Sequence, residues 1–438
     1  MALIGVQRIA VSAGAVALFD EAVAGVVNAH VGAGLLFGNL LGAGFAGVLV
    51  QYWRSPGEES ARAMRVILAI PFLAAVLLVI AGLVTATMGR VGPSATMLVA
   101  GVTAGYVVSK HLAFVEGSIR RYVAFELLGA ALFTTAFVGA WRLDRAELLY
   151  VAAITAMAPV FGLALRRAWA GAWVSPSIVP RRWVSYGSWV ATATALGNSL
   201  GTLPVVILVA SGEEAAGGVV AAVMGWLAPL LLLPRAFSLV FVPRIAALWN
   251  AGKGTEVREI VGEHGPFLEL LAFSIQGVMF LGAWRLVGFL ALSRQPTEAE
   301  ALAILVGTLV VALQAGATPI ANVLAGCERA RQNAFATIVS FTWLAAIPLL
   351  GMTALGGLSA LAAATATRYV LLYTFARDLI PGSVTMTLVL VPVVAATAIT
   401  GVIWPPTALV LVGIVLTLRR QWLRMEVAVL RNAIRQRR

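Results

Sequence analysis

Apolar runs of about 20 residues repeat along nearly the whole chain, and short stretches containing charged residues, Gly or Pro separate them. A helix needs about 20 mostly apolar residues to cross the hydrocarbon core of a bilayer. The pattern therefore predicts an all-α, polytopic membrane protein with about 14 transmembrane helices. The predicted spans are 3–27, 30–53, 64–88, 94–115, 120–141, 146–168, 183–210, 216–242, 266–291, 300–325, 333–351, 355–378, 386–404 and 405–419.

The charges between the spans alternate in sign from one turn to the next. If the N-terminus is cytoplasmic, all 31 Lys and Arg lie on or nearest to the cytoplasmic side except Arg90, Arg142, Arg145, Arg285 and Arg294. The opposite turns instead carry acidic residues: Asp20, Glu21, Asp144, Glu147, Glu213, Glu214, Glu298 and Glu300. Because cytoplasmic loops are enriched in Lys and Arg, we predict a multi-pass protein of the inner (cytoplasmic) membrane with both termini in the cytoplasm.

Composition excludes several other classes of protein. The chain is 61% hydrophobic and 11% charged, whereas soluble domains have about 25% charged residues. The net charge of +12 does not indicate nucleic-acid binding, because the arginines lie between apolar spans. A single cysteine, Cys327, excludes an internal disulfide, and the three histidines lie far apart. We therefore expect no metal and no cofactor.

Two cytoplasmic segments are longer than the other turns. Residues 169–182 contain two prolines, and residues 243–265 are amphipathic, with Ile245 and Trp249 on the apolar face and Lys253 on the basic one. Such a segment is expected to lie in the membrane interface, where anionic lipids of the inner leaflet would be its partners.

The stretch from 181 to 254 contains two spans joined by the acidic turn at Glu213 and Glu214. It begins near Tyr186-Gly187, continues from the turn into Gly217-Gly218, and ends in FVPRI at 241–245. This pattern resembles the seventh and eighth helices of the polysaccharide-flippase branch of the MOP superfamily. That group includes the Wzx-type flippases of lipid-linked oligosaccharides and, more distantly, MurJ and the MATE exporters.

The resemblance implies two six-helix lobes that form a V and rock between inward-open and outward-open states. The lobes would be residues 1–168 and 183–380, with 169–182 as the linker, two further helices in 381–420 and a basic cytoplasmic tail at 421–438. The implied activity is translocation of an undecaprenyl-pyrophosphate-linked oligosaccharide between leaflets. No bond changes in that process, so we expect a transporter that is not an enzyme.

Three arginines lie within or near predicted spans of the second lobe: Arg235, Arg285 and Arg368. An ionisable side chain in hydrocarbon costs several kcal/mol unless it faces water or a partner. Arg368 is the deepest, roughly 20 Å from the outer end of its span. One hypothesis is a cationic cavity that binds the pyrophosphate, for which the planar guanidinium is suited. The alternatives are snorkelling to the interface and structural pairing.

Four amide side chains interrupt apolar spans: Asn39, Asn198, Gln276 and Gln314. Amides donate and accept hydrogen bonds, so they are candidates for a sugar-facing lining. Interhelical hydrogen bonds are the alternative. Asp20 is the candidate for sodium or proton coupling, because MATE exporters use membrane-embedded carboxylates for that purpose. A solvated turn is the simpler interpretation of Asp20.

Small residues repeat every four positions in the second span, at Gly34, Gly38, Gly42 and Ala46. This spacing allows close packing of another helix. The partner is either an ordinary neighbour or, on a mechanistic hypothesis, helix seven or eight sliding past at the interface between the lobes.

Other cargoes and another class of protein remain open at this point. The same fold would also suit a MATE-like exporter or an exporter of lipid II or a related lipid. A membrane-embedded polysaccharide polymerase or glycosyltransferase is the enzymatic alternative. The outer turns have about ten residues or fewer, which is short for a loop that presents catalytic groups.

Overall fold

The protein is built from α-helices joined by short turns. The computed structural model describes residues 2–53, 58–172, 179–231, 242–261 and 284–379, and these ranges contain no strand. The helices are α1 (Ala2–Leu18), α2 (Glu21–Tyr52), α3 (Glu58–Thr87), α4 (Val91–Val115), α5 (Ile119–Leu143), α6 (Leu148–Ala172), α7 (Arg181–Ser199), α8 (Leu203–Ala210), α9 (Glu214–Leu227), α10 (242–250), α11 (254–261), α12 (Trp284–Leu292), α13 (Glu298–Gly326), α14 (Ala330–Phe341), α15 (Ile347–Leu350) and α16 (Ala354–Ala376). Short 3₁₀ turns extend α9 to Leu231 and join α14 to α15.

The described helices confirm a polytopic membrane protein. Eight helical stretches are long and apolar enough to cross a bilayer, and α7 with α8 makes a ninth if the bent pair is one span. The predicted number of fourteen is not confirmed by these ranges. The predicted spans at 386–404 and 405–419 and the basic tail at 421–438 lie outside the described residues, and most of the span at 266–291 does too.

The first predicted boundary is wrong. The prediction ended the first span at 27, but α1 ends at Leu18 and α2 runs without interruption from Glu21 to Tyr52. Asp20 sets this boundary: its Oδ1 accepts a hydrogen bond from the Val23 N–H at 2.7 Å. A capping aspartate satisfies an amide that the first helical turn leaves without a partner, so the helix starts there and continues past His30.

The predicted span at 183–210 is broken. Helices α7 and α8 meet at an angle of 66° across Leu200–Thr202. Pro204 is the second residue of α8, a position where its missing N–H and fixed φ are tolerated. The proline therefore starts a new helix and does not kink a continuous one.

Helix α2 contacts both parts of the chain; we call α1–α6 the first half and α7–α16 the second half. It packs on α4 and α3 in the first half and on α7, α8 and α9 in the second. One apolar core includes Val99 of the first half and Val220 and Leu361 of the second. An open V would separate the halves at one end, whereas the described residues are in contact along the length of α2.

The four-residue ladder packs inside the first half. A Cβ on Gly34 would lie 2.8 Å from the Thr96 oxygen, and one on Gly38 would lie 2.6 Å from the Ala100 oxygen; both oxygens belong to α4. The sliding hypothesis for this ladder is therefore not supported. Other glycines of α2 face the second half: Gly25 contacts Glu214 of α9, and Gly44 contacts Gly187 of α7.

Large apolar side chains remain exposed along the outer faces of the bundle. Helix α3 exposes Leu73, Leu77 and Ile80, and α5 exposes Leu127 and Leu128. A contiguous exposed apolar surface marks a membrane or protein contact. On helices of this length, it is the surface expected to face lipid.

The amphipathic segment differs from its prediction. In α10 and α11, Ile245 and Val257 are buried, and they form one cluster with Val323, Cys327 and Leu379. The apolar face that we expected in the lipid interface is thus covered by the end of α13. The basic residues Arg244, Lys253 and Arg258 are exposed, so any contact with anionic lipids would depend on charge.

Candidate functional site

A cavity of about 130 Å³ lies between the two halves. Residues of α1, α2, α5 and α6 line one side, and residues of α7, α8, α9 and α13 line the other. Most of the lining consists of apolar side chains and glycines. The polar side chains are Gln7, Ser12, Asn28, Asn198, Thr202 and Gln314. Each half therefore contributes neutral hydrogen-bonding groups to one space.

The polar groups of the first half differ in how they are satisfied. Ser12 donates to Asn28 Oδ1 at 2.8 Å, and Asn28 Nδ2 donates to the Ala24 oxygen at 2.8 Å. Gln7 is only 7% exposed, and its Oε1 has no hydrogen-bond partner among the described residues. A buried amide oxygen without a partner costs free energy, so Gln7 is the least satisfied of these polar residues.

Arg368 lies beside the cavity, behind Gly197 of α7. A Cβ on Gly197 would be 2.9 Å from Arg368 Nη2, and Gly197 itself lines the cavity. The guanidinium Nε donates to Thr337 Oγ1 at 3.0 Å, and Nη2 makes a long contact of 3.5 Å with Asn333 Oδ1. Because residue 197 has no side chain, only backbone separates this cation from the cavity.

The partners of Arg368 are neutral. Within the described ranges no carboxylate pairs with it, whereas Arg294 and Arg329 both bind carboxylates near the helix ends. A cation in a membrane-spanning helix that has only neutral partners attracts an anion strongly. A guanidinium also presents several donors in a plane that matches phosphate oxygens. The arrangement is therefore suited to an anionic ligand.

The structure brings three of the predicted site residues together: Asn198 and Gln314 line the cavity, and Arg368 lies next to it. Asn39 is not among the lining residues; its Nδ2 donates to the Leu35 oxygen of its own helix at 2.7 Å. This bond satisfies one amide proton within α2. Asn39 therefore lies one turn away from the cavity-lining Leu35.

Three other predicted residues are outside what the structure describes. Arg235 and Gln276 fall in the ranges 232–241 and 262–283, and Arg285 belongs to α12 but its side chain lies outside the described residues. Their assignment to the substrate site stays a prediction.

Asp20 lies at the exposed start of α2, where it caps the helix. This position corresponds to the simpler interpretation of a solvated turn. Ion coupling by Asp20 stays a prediction, and the cap gives the side chain a structural role.

Sequence reasoning missed Gln7, Ser12, Asn28 and Thr202. Gln7 and Asn28 met the criterion used for the other amides, a polar side chain inside an apolar run. Gln7 lies inside the first predicted span, 3–27, and Asn28 falls in the wrongly placed turn after 27. The correct boundary at Asp20 places Asn28 two turns inside α2.

The two halves contact each other beyond both ends of the cavity. We call the end with Glu21, Glu214 and Arg294 the acidic end: Arg294 binds Glu21 of α2 and Glu300 of α13, each at 2.6 Å. Here Gly25 of α2 and Gly218 of α9 approach the opposite backbone so closely that a Cβ would not fit.

We call the other end, where Arg182 and Arg329 lie, the basic end. The contacts between the halves there are aromatic. Tyr52 of α2 stacks on Trp183 of α7 with ring centroids 5.1 Å apart. Its hydroxyl donates to Glu328 Oε1 at 2.9 Å, and Tyr186 donates to the Ala325 oxygen at 3.0 Å. The cavity therefore lies between an ionic contact at one end and an aromatic contact at the other.

Comparison with known proteins finds no family model that matches the chain, and no curated protein matches it either. Among the described residues, no group of three or more His, Cys, Asp or Glu side chains is placed to hold a metal ion. The functional argument therefore depends on the geometry of the cavity and of Arg368.

Proposed function

We propose that the protein is a flippase that moves a polyprenyl-pyrophosphate-linked oligosaccharide across the cytoplasmic membrane by alternating access. The observation that carries this proposal is the position of Arg368, a cation with neutral partners, beside a cavity to which both halves contribute polar side chains. The resemblance of residues 181–254 to MOP-type flippases supports the same function. The class of lipid in this proposal, a polyprenyl pyrophosphate, comes from that resemblance alone.

The physical problem in such transport is the headgroup. Sugars and phosphates lose many hydrogen bonds in hydrocarbon, at a cost of several kcal/mol for each unpaired polar group. A cavity between the halves would replace those bonds with amide, hydroxyl and guanidinium partners. The polyprenyl tail is apolar and would stay in the surrounding lipid.

The halves have to separate for this cargo to pass. A cavity of about 130 Å³ is smaller than the roughly 150 Å³ cavity that holds a benzene molecule, so it does not accommodate an oligosaccharide. The Arg294–Glu21 pair at the acidic end and the Tyr52–Trp183 stack at the basic end are the contacts that would break. Breaking them in alternation would open the cavity to each side in turn.

The test is leaflet exchange of a labelled polyprenyl-pyrophosphate glycan in liposomes that contain the pure protein. We expect the wild type to accelerate exchange and Arg368→Gln to slow it roughly 10- to 100-fold, because a charge-assisted phosphate contact is lost. Arg331→Gln is the matched control, since Arg331 is exposed on α14 and contacts the Trp189 ring. Wild-type exchange at the protein-free rate, or full exchange by Arg368→Gln, would contradict the proposal.

A further inference from the structure

Carboxylates of both halves meet at the acidic end. Three helices begin there with acidic residues in their first turns: Glu21 of α2, Glu214 of α9, and Glu298 and Glu300 of α13. The partial positive charge of a helix N-terminus favours an acidic residue at each of these positions. The same placement puts like charges on both sides of the contact between the halves, and like charges repel. A force that separates the halves is therefore present at this end.

Arg294 bridges two of these carboxylates with one nitrogen. Its Nη2 donates to Glu21 Oε1 of the first half and to Glu300 Oε1 of the second half, each at 2.6 Å. The guanidinium thus lies between two carboxylates that would otherwise face each other at close range. It attracts Glu21 towards the second half, and it also cancels the repulsion between Glu21 and Glu300.

The bonds of Arg294 within the second half hold the guanidinium in this position. Its Nη1 donates to Glu300 Oε2 at 2.8 Å, which makes the pair with Glu300 bidentate. Glu300 is held in turn by the start of α13, where the Thr297 N–H and hydroxyl donate to Oε2 at 2.7 and 2.9 Å. Among the described residues, one bond of the guanidinium crosses between the halves, the bond to Glu21. That bond is the one that breaks when the acidic end opens, and Arg294 stays with the second half.

We propose that Arg294 is an ionic latch: it holds the acidic end closed, and repulsion between Glu21 and Glu300 opens the cavity to that side once the latch is released. This inference rests on the proposed function and deepens it, because it names the residues that control access to the cavity from one side. The basic end works differently, since the stacked rings of Tyr52 and Trp183 attract each other without a charge.

The test measures the separation of the halves at the acidic end and needs no substrate. Spin labels are attached to the full chain at Thr87→Cys, the last residue of α3, and at Ser211→Cys, in the turn between α8 and α9, with Cys327→Ala. The two positions are exposed and belong to different halves. Double electron–electron resonance in detergent gives the distribution of distances between the labels, and the population at the longer distance is the open state.

Arg294→Gln should raise the ratio of open to closed molecules about 2- to 25-fold at low ionic strength. A lost ion pair and a new contact between like charges each change that ratio roughly 1.5- to 5-fold, and the two effects multiply. The increase should shrink as the ionic strength rises from about 0.01 M to about 1 M, because the screening length falls from roughly 30 Å to roughly 3 Å. A change in packing alone would persist at high ionic strength.

Two double variants test the repulsion directly. Arg294→Gln with Glu300→Gln leaves Glu21 facing a neutral amide, so it should be less open at low ionic strength than Arg294→Gln alone. Glutamine also completes a capping box, so α13 is expected to start as before, and the melting temperature checks this. Arg294→Gln with Glu298→Gln is the matched control and should remain as open as Arg294→Gln. Glu298 has the same charge in the same turn, but it is exposed and no described residue forms an ion pair with it.

Three results would each overturn the latch: an open population in Arg294→Gln equal to that of the wild type at low ionic strength, an increase that persists at high ionic strength, or equal closing by the two double variants. Leaflet exchange of the labelled glycolipid separates these results from the proposed function. If exchange occurs and the labels do not respond as predicted, the flippase stands and the latch is wrong. If the labels respond as predicted and no exchange occurs, the latch stands and transport of this lipid is wrong.

Discussion

At the scale of single residues, the arginines of this protein differ in whether their hydrogen-bond partners are charged or neutral. Arg329 binds both carboxylate oxygens of Asp378 at the basic end, at 2.7 and 2.6 Å, and Arg294 binds Glu21 and Glu300 at the acidic end. These hydrogen bonds raise the pKa of both guanidinium groups. Arg368 has Thr337 and Asn333 instead. The sequence predicted the depth of Arg368, but its neutral partners lie 31 and 35 positions away and only the fold identifies them.

Replacing Thr337 by Val should destabilise the protein, because it leaves the buried Arg368 Nε–H without its acceptor. We expect a loss of about 1–3 kcal/mol, measured by thermal unfolding in detergent. Thr308→Val is the control: both threonines are fully buried and bond to their own helix backbone, but only Thr337 accepts from an arginine. Equal losses for the two variants would mean that the Arg368 contact contributes nothing.

The Arg329–Asp378 pair predicts a pH dependence at the basic end. The hydrogen bond from Arg329 lowers the pKa of Asp378 below its ordinary value of 3.8. A lowered folded-state pKa stabilises the protein above the ordinary value, and this stabilisation is lost as the pH falls through the folded-state pKa. The Asp378 side chain is 48% exposed, so the effect is less than about 1 kcal/mol.

Asp378→Asn should therefore lower the melting temperature slightly near pH 7, and this difference should shrink as the pH falls below 3.8. A melting-temperature series in that range measures the difference between the variant and the wild type. Asp144→Asn is the control, because Asp144 is exposed at the end of α5, where Asn tolerates the left-handed backbone. A difference that persists at low pH would rule out the ion pair as its source.

The sequence predicted the presence of individual helices well, but it predicted the residues at which they begin and end less accurately. Apolar length identified α3, α4, α5, α13 and α16 within a few residues. It misplaced the end of α1, because a capping hydrogen bond from Asp20 determines that boundary and apolar periodicity does not report it. The glycine ladder of α2 likewise predicted close packing, but spacing alone does not say which neighbour a helical face contacts.

The two glycine faces of α2 should respond differently to an added methyl group. Gly25→Ala places Cβ against the Glu214 backbone of α9 and should separate the halves at the acidic end, whereas Gly34→Ala places it against α4. The measurement is labelling of Thr202→Cys, which lines the cavity, by a membrane-impermeant thiol reagent in a Cys327→Ala background.

We expect labelling to become several-fold faster with Gly25→Ala and to stay unchanged with Gly34→Ala, although the latter should lower the melting temperature. Equal rates in both variants would contradict the assignment of the Gly25 face to the contact between the halves.

At the scale of the whole molecule, the sequence predicted which turns lie on the same side of the membrane. It did not predict which helices of the two halves contact each other. The alternating charges placed Glu21, Arg294 and Glu300 on one side, and the structure joins these side chains directly. The contact of α2 with α7 and α9 depends on residues more than 100 positions apart, so no local pattern could predict it. The cavity is a product of that contact, which is why the sequence predicted only Asn198 and Gln314 among its polar residues.

The central claim is that the halves separate around the cavity during transport, and a pair of cross-links tests it. Gly44→Cys with Ala191→Cys joins α2 to α7 across the halves, where a Gly44 Cβ would lie 3.0 Å from that of Ala191. Leu78→Cys with Gly101→Cys joins α3 to α4 within the first half, at 3.2 Å. Both distances are shorter than the Cβ separation of a disulfide, about 3.5–4.5 Å, so a disulfide forms in each pair with only a small outward shift of the helices. Both variants carry Cys327→Ala.

The measurement is leaflet exchange of the labelled glycolipid in liposomes before oxidation, after oxidation and after reduction. The account predicts that oxidation stops exchange in the Gly44–Ala191 variant, that reduction restores it, and that the Leu78–Gly101 variant transports in all three conditions. Undiminished exchange by the fully cross-linked Gly44–Ala191 variant would contradict the account.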